Sequence, residues 1–160
     1  MKSLSVLVMA FCLLVMALAV PLVDERDGVQ TVHLIFHAGP AEYSLAIPAD
    51  GSVHQTNSDL AVNIVDAPDY NALYQCEFET QSNATLAGSI SPEGSNQILV
   101  GPPTPVLSVS CQGTCVYTYG DCYRDGQWLG PCCAGYCAAN KCRPWISPWR
   151  RRDAREAVAG

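Results

Sequence analysis

The sequence predicts a mostly β fold: a small N-terminal β-sandwich followed by a disulfide-rich module. Apolar and polar residues alternate in short runs separated by turn residues, which is typical of strands. Six of the nine cysteines lie within the 28 residues from Cys115 to Cys142. A segment this short cannot bury enough apolar surface to fold without covalent help. Disulfide formation is therefore a structural requirement of this chain.

The first nineteen residues have the pattern of a secretory signal peptide. Lys2 precedes an uninterrupted apolar stretch over residues 6–18, and small residues at Ala17 and Ala19 complete a cleavage pattern. Thirteen apolar residues are too few to span a bilayer. We therefore expect an extracellular protein without stable membrane insertion. Removal of Cys12 with this segment leaves eight cysteines, an even number that permits complete pairing.

Charge and cysteine content both change near residues 101–105, which read GPPTP. Residues 28–110 carry eight carboxylates and no Lys or Arg, whereas residues 111–160 carry four carboxylates and seven basic side chains. Such a change predicts a module boundary at this segment or just after it. The predicted division is a signal peptide at 1–19, a pro-like linker at 20–30, a β-sandwich-like module at 31–110, a cysteine-rich module at 111–145 and a disordered basic tail at 146–160.

Seven short strands are expected in the β-sandwich-like module. Val32, Leu34 and Phe36 form one alternating set, and a second set follows the Gly39-Pro40 turn. The predicted strands cover residues 31–36, 43–47, 61–65, 72–78, 85–90, 97–100 and 106–110. Residues 48–51, Pro-Ala-Asp-Gly, predict a turn, because proline presets one dihedral angle and glycine accepts positive φ.

The strand at 72–78 carries the one cysteine found between residues 20 and 110. Tyr74, Cys76 and Phe78 would share a face of this strand, which we expect to be buried. Cys111 alone lies outside the six-cysteine cluster and is left to pair with Cys76. This bridge would close a loop of about 35 residues and contribute about 3–4 kcal/mol by the chain-entropy relation.

The cysteine-rich module has the spacing C-x6-C-x9-C-C-x3-C-x4-C. The adjacent Cys132 and Cys133 cannot easily bond to each other, since the ring would be strained. The framework resembles the inhibitor cystine knot, or knottin, and residues 130–137 resemble the double-cysteine segment of knottin-type antimicrobial peptides. Six cysteines allow fifteen connectivities. The pairing that the resemblance implies is Cys115–Cys133, Cys122–Cys137 and Cys132–Cys142.

Most of the mature chain resembles the small secreted cysteine-rich proteins of filamentous fungi, in which a β-rich part precedes a knottin-like part. The matching features are the signal peptide with an acidic pro-like segment, GPP at 101–103, VSCQGTC at 109–115, YGDCY at 119–123 and CRPW at 142–145. Some of these fungal proteins act as effectors toward a host. The resemblance implies an effector-like role without identifying a target.

The sequence favours a protein that is not an enzyme and uses no cofactor or metal. An even cysteine count leaves no obvious free nucleophile. His33 and His37 would share a strand face about 13 Å apart, too far to bind one metal together. His54 completes the set of three histidines, and the carboxylates have no calcium-loop spacing. Nucleic-acid binding is not expected of a secreted chain with net charge −6.

The cysteine-rich module carries the candidate binding residues. They are Tyr117, Tyr119, Tyr123, Arg124, Trp128, Tyr136 and Trp145. Aromatic side chains on a disulfide-fixed scaffold can stack on sugars or anchor a protein surface at low entropic cost. Alternatively, some of them pack over the disulfides, because the module has little aliphatic core.

Three functions follow from these residues. We favour a monomeric, effector-like interaction protein whose knotted loops bind an extracellular protein or carbohydrate. A knottin-type antimicrobial, toxin or protease inhibitor would instead retain activity in residues 111–149 alone and need Arg124 or Trp128. A chitin- or glucan-binding wall protein would lose retention when Tyr119, Trp128 and Tyr136 become alanine.

Two short motifs have separate interpretations. The run Arg150-Arg151-Arg152 is a solvated charge run, a polybasic contact or a dibasic processing site, and the tail around it is expected to be disordered. Asn83 begins an N-glycosylation sequon, Asn-Ala-Thr, in a polar turn between two predicted strands. We expect an exposed acceptor there.

Overall fold

A computed structural model describes residues 28–145. The signal peptide, most of the pro-like linker and the basic tail lie outside the described residues, so these assignments stay predictions. The elements of the described part are β1 (Thr31–Ala38), β2 (Ala41–Pro48), β3 (Asp50–Gln55), β4 (Val62–Ala67), α1 (Ala72–Gln75), β5 (Cys76–Thr80), β6 (Thr85–Ile90), β7 (Asn96–Thr104), β8 (Val106–Gln112), β9 (Tyr123–Arg124), β10 (Gln127–Trp128), β11 (Tyr136–Ala138) and β12 (Lys141–Arg143).

Two antiparallel sheets pack around one apolar core, which confirms the predicted mostly β fold. The larger sheet has the strand order β2-β1-β4-β7-β6, and the smaller has the order β3-β8-β5. Their inner faces bury residues from both sheets, for example Phe36 and Ile98 of the larger sheet and Val109 of the smaller. We call residues 28–112, which contain β1 to β8 and α1, the β unit, and residues 113–145 the cysteine-rich unit.

Strand β1 follows the predicted alternation. Val32, Leu34 and Phe36 are fully buried, while the residues between them face outward. The Phe36 ring stacks on Tyr43 of β2, with ring centroids 4.6 Å apart. The apolar period of two therefore fixes which face of the larger sheet forms the core.

The predicted strand at residues 72–78 is wrong in its first half. Residues Ala72–Gln75 form a short helical turn, and the strand begins only at Cys76. Tyr74 is consequently not on a buried strand face, and 81% of it is exposed. Cys76 and Phe78 do pack against the core. An apolar run of four residues is too short to distinguish a strand from a helical turn.

The predicted turn at residues 48–51 is corrected, and the proline segment at 101–105 is largely part of a strand. In the predicted turn at residues 48–51, Ala49 is a bend and Asp50 already begins β3, a strand that the sequence did not predict. The proline segment at 101–105 is largely part of β7, and Pro105 alone separates β7 from β8. The predicted module boundary at this segment or just after it stays a prediction, and β8 ends at Gln112.

The Cys76–Cys111 disulfide predicted by elimination joins β5 to β8. The two residues are directly opposite each other, with Cα atoms 4.0 Å apart. Cys111 is fully buried in the shared core. The bridge therefore ties the edge strand β5 to the centre of the smaller sheet.

Candidate recognition surface on the cysteine-rich unit

Three disulfides build the interior of the cysteine-rich unit. Cys115–Cys133, Cys122–Cys137 and Cys132–Cys142 are bonded, which is the pairing implied by the knottin resemblance. Cys122 and Cys142 are fully buried, and Cys132 is nearly so. These half-cystines, with Val116 and Cys137 packed against them, form a separate small core. Sulfur thus takes the place that aliphatic side chains occupy in the β unit.

The sulfur atoms of Cys122, Cys132 and Cys142 lie within 4.8 Å of one another. Three cysteines at this distance would resemble a metal site if they were free. Each is already bonded in a disulfide, however, and metal binding needs a thiolate. The cluster is accordingly structural while the protein is oxidised.

Backbone hydrogen bonds fix the loops that lie over this core. The Tyr119 N–H donates to the Cys142 carbonyl at 2.8 Å, and the Cys142 N–H donates to the Gly120 carbonyl at 2.9 Å. Val116 and Cys132 form an isolated parallel bridge. The loop segments are therefore held to the hairpins by disulfides and main-chain bonds together.

The hairpin β9–β10 presents two of the candidate binding residues. Its turn is Asp125-Gly126, and both residues have positive φ, as a two-residue hairpin turn of this kind requires. Tyr123 and Trp128 are cross-strand partners, with ring centroids 4.9 Å apart in an edge-to-face arrangement. Each is at least 40% exposed. This turn sequence is a signal that could have predicted the hairpin.

Arg124, the residue after Tyr123 on β9, is held by a small charge cluster. Its guanidinium donates to Asp121 at 2.9 Å, and Lys141 of β12 pairs with the other oxygen of the same carboxylate. The hydrogen bond from Lys141, followed by that from Arg124, holds the pKa of the Asp121 carboxyl below its ordinary value. The cluster connects the hairpin β9–β10 to the hairpin β11–β12 at the surface.

Tyr136 and Trp145 form a second aromatic pair. Their ring centroids are 5.4 Å apart. The Trp145 indole N–H donates to the side-chain oxygen of Asn96 in β7, at 3.1 Å. The indole is thereby oriented by contacts with both units.

Tyr117 and Tyr119 are 61% and 55% exposed. Neither ring contacts another aromatic ring within residues 28–145. All six aromatic candidates are thus substantially exposed, and none is buried over the disulfides. The structure brings them together as two pairs and two single tyrosines rather than as one continuous patch.

The cysteine-rich unit is attached to the β unit by side-chain amides that bind its backbone. Asn71 donates to the Cys132 carbonyl at 3.1 Å, and Asn96 donates to the Cys133 carbonyl at 2.6 Å. Gln30 makes a reciprocal pair with the Cys115 backbone, at 2.7 and 2.9 Å. Cys115 and Cys133 also belong to the main apolar core. The first disulfide of this unit is therefore shared with the β unit.

The histidines lie in the β unit, and each contacts a polar partner. His37 pairs with Asp66 at 2.9 Å and with Glu42 at 3.4 Å, and His33 pairs with Asp69. These pairs were not predicted, because their partners lie on other strands or loops.

A serine lies between a carboxylate and a histidine on β3. Ser52 donates to Asp50, and its hydroxyl is 2.8 Å from the Nε2 of His54. In a hydrolytic triad the histidine lies between the serine and the carboxylate. The order found here does not provide that relay.

Asn83 is exposed in the loop between β5 and β6, and Thr85 begins β6. The position agrees with the expected exposed acceptor, and occupancy by a glycan stays a prediction. The helical turn α1 is far too short to cross a membrane, and the described residues include no other helix.

Comparison with family models, with curated proteins and with solved structures finds no match to this chain. The fungal and knottin resemblances therefore rest on the sequence motifs, and for the knottin on the disulfide pairing as well.

Proposed function

We propose that this chain is a secreted, non-enzymatic interaction protein, effector-like in character, whose cysteine-rich unit carries the recognition surface. The observation that supports the proposal is the exposure of every candidate aromatic residue over a core made of disulfides. Aromatic side chains that are held exposed on a rigid scaffold can anchor a partner at low entropic cost.

The hairpin β9–β10 is the best candidate for the centre of this surface. Tyr123 and Trp128 are exposed and fixed against each other, and Arg124 is presented by the same hairpin. Tyrosine, tryptophan and arginine are the residue types enriched at energetically dominant interface positions. Cys122, which precedes the hairpin, is fully buried and disulfide-bonded, so the hairpin is anchored at its base.

The toxin, antimicrobial or inhibitor alternative requires the cysteine-rich unit to act alone. Contacts with the β unit argue against such independence. Cys115 and Cys133 pack in the main core, and the carbonyls of Cys132 and Cys133 accept hydrogen bonds from Asn71 and Asn96. An isolated unit would lose these partners and expose that disulfide.

The test is a binding screen with the secreted, oxidised chain against an array of recombinant extracellular domains and glycans. Each ligand found is measured again with Tyr123→Ala and Trp128→Ala. We expect about tenfold or greater weakening, as for dominant interface residues. Val53→Ala is the matched control, because Val53 is 64% exposed but lies on β3. Binding that persists in both hairpin variants would contradict the proposal.

A further inference from the structure

A groove of about 450 Å³ opens where the two units meet. Its lining includes Tyr74 of α1, Ser89 of β6, Gln97 of β7 and Trp145 of the cysteine-rich unit. Asn71 and Asn96, two of the side-chain amides that hold the units together, also line it. We call this feature the inter-unit groove. Its volume lies within the range of roughly 300–1,000 Å³ that is usual for small-molecule sites.

Two aromatic side chains contribute to the groove, and one of them is held in a fixed orientation. Trp145 is 41% exposed, packs against Tyr136 and donates its indole N–H to Asn96. Tyr74 is 81% exposed, a large apolar area for a ring in a short turn. Aromatic faces that are exposed beside a groove can stack on the apolar face of a flat ligand ring.

The backbone of the turn that carries Tyr74 is held in place by the packing of the neighbouring Leu73. Leu73 packs against the main core and lies directly over Gly88 of β6. A Cβ atom at Gly88 would lie 2.6 Å from the Leu73 side chain, so the glycine permits this close approach. The turn that carries Tyr74 is therefore seated on the sheet.

The polar groups of the groove are neutral and partly unused. Those described residues that line it carry no formal charge, although residues 28–110 carry eight carboxylates and no Lys or Arg. The side-chain amides of Asn71 and Asn96 each donate one N–H to the backbone of the cysteine-rich unit within residues 28–145, which leaves each amide with a second N–H donor. Neutral donors and acceptors next to aromatic rings suit a ligand with many hydroxyl groups and no charge. An anionic or cationic ligand would gain no ion pair in the groove.

We propose that the inter-unit groove binds an uncharged oligosaccharide. Pyranose rings stack on Trp145 and Tyr74, while the side-chain amides of Asn71 and Asn96 form hydrogen bonds with sugar hydroxyls. The site goes beyond the proposed function, because the target of hairpin β9–β10 need not be a carbohydrate. It also differs from the wall-binding alternative predicted from sequence, which relied on Tyr119, Trp128 and Tyr136.

The test is calorimetric titration of the full secreted chain with defined tetrasaccharides. The neutral probes are β-1,4-linked N-acetylglucosamine, β-1,3-linked glucose and β-1,4-linked glucose, which separate an amino-sugar polymer from a glucan. The anionic probe is α-1,4-linked galacturonic acid. We expect at least one neutral probe to bind with a Kd below about 1 mM, and the anionic probe to bind at least about tenfold more weakly.

The variants locate the site. Tyr74→Ala and Trp145→Ala should each weaken binding of the neutral probe about tenfold, because each removes a stacking face. Trp145→Phe keeps a ring but loses the bond to Asn96, and should give a smaller loss. Trp128→Ala is the matched control and should leave binding within about twofold. The high exposure of Tyr74 makes its replacement harmless to folding, so the test does not depend on Trp145 alone.

Four results would overturn the proposal. The first three are failure of every neutral probe to bind, equal or tighter binding of the galacturonate, and binding that Tyr74→Ala and Trp145→Ala leave unchanged. The fourth concerns Trp128→Ala. If Trp128→Ala abolishes binding instead, the saccharide lies on hairpin β9–β10. That outcome rejects the inter-unit groove while leaving the proposed function intact.

Discussion

The β unit buries aliphatic and aromatic side chains between two sheets, whereas the cysteine-rich unit buries mainly sulfur. The first has one disulfide of its own, and the second has three within residues 115–142. Its strands are also only two or three residues long. The comparison shows how a short segment can keep large aromatic side chains exposed: disulfides replace the apolar core that would otherwise bury them.

The two units are nevertheless not independent. Cys115 and Cys133 lie in the main apolar core, and asparagine side chains of the β unit bind the backbone at Cys132 and Cys133. The cysteine-rich unit therefore rests on a folded β unit, while the β unit has a core that does not require the small hairpins.

The largest effect should come from the apolar core. Phe36→Ala removes a fully buried ring that stacks on Tyr43, and should lower the free energy of unfolding by about 3–5 kcal/mol. Chemical denaturation of the oxidised protein measures this change in the free energy of unfolding. Val53→Ala, an exposed position, should stay within about 0.5 kcal/mol. A loss below about 1 kcal/mol for Phe36→Ala would break the comparison.

The next largest effect should come from removing one disulfide from each unit in turn. Cys132→Ala combined with Cys142→Ala should cost about 2–4 kcal/mol and make residues 113–145 susceptible to protease, since their core is lost. Cys76→Ala combined with Cys111→Ala is the matched control, with a similar cost but a β unit that stays resistant. Limited proteolysis with peptide mapping distinguishes them. Cleavage that begins in the β unit of the first variant would refute the distinction.

A smaller effect should come from the contact between the units. Asn96→Ala removes the bonds to Cys133 and Trp145 and leaves both partners unsatisfied, at a cost of about 1–2 kcal/mol. The loss of these two hydrogen bonds should lower the free energy of unfolding and shift the indole N–H resonance of Trp145. Gln81→Ala, whose side chain is exposed, should change neither. An unchanged Asn96→Ala variant would mean that the units are joined by the core alone.

The smallest effect concerns pH. Hydrogen bonds from Lys141 and then Arg124 lower the pKa of Asp121 in the folded protein. The ionised carboxylate therefore stabilises the fold fully at pH values above its pKa in the unfolded chain, about 3.9. That contribution is lost as pH falls through the lower folded pKa. Asp121→Asn should therefore destabilise the protein slightly at pH 6 and reduce its further loss of stability in acid. Thermal unfolding across this range measures it, and equal acid sensitivity in both proteins would contradict the assignment.

Sequence patterns predicted those parts of the fold in which burial is periodic. Val32, Leu34 and Phe36 predicted β1 because one face of that strand is buried throughout. Strand β3 was missed because most of its residues are exposed and carry no apolar alternation. The helical turn at Ala72–Gln75 was mistaken for a strand because its placement depends on Leu73 packing over Gly88, a contact that no local pattern encodes.

The two candidate surfaces also differ in how far the sequence alone could predict them. The aromatic residues of the cysteine-rich unit could be listed from sequence because they are dense in a short segment. The inter-unit groove could not, since Tyr74, Gln97 and Trp145 are far apart in the chain and meet only through the topology. The amides that join the units also gave no local signal, because asparagine is common in turns for other reasons.

Native-state hydrogen exchange before and after mild reduction tests the central claim most directly. The claim is that disulfides stabilise the cysteine-rich unit and apolar burial stabilises the β unit. We expect reduction to remove protection from backbone amides of residues 116–143, while amides of β1, β4 and β7 stay protected. Loss of protection in both units together, or continued protection of residues 116–143 after all disulfides are reduced, would contradict the account.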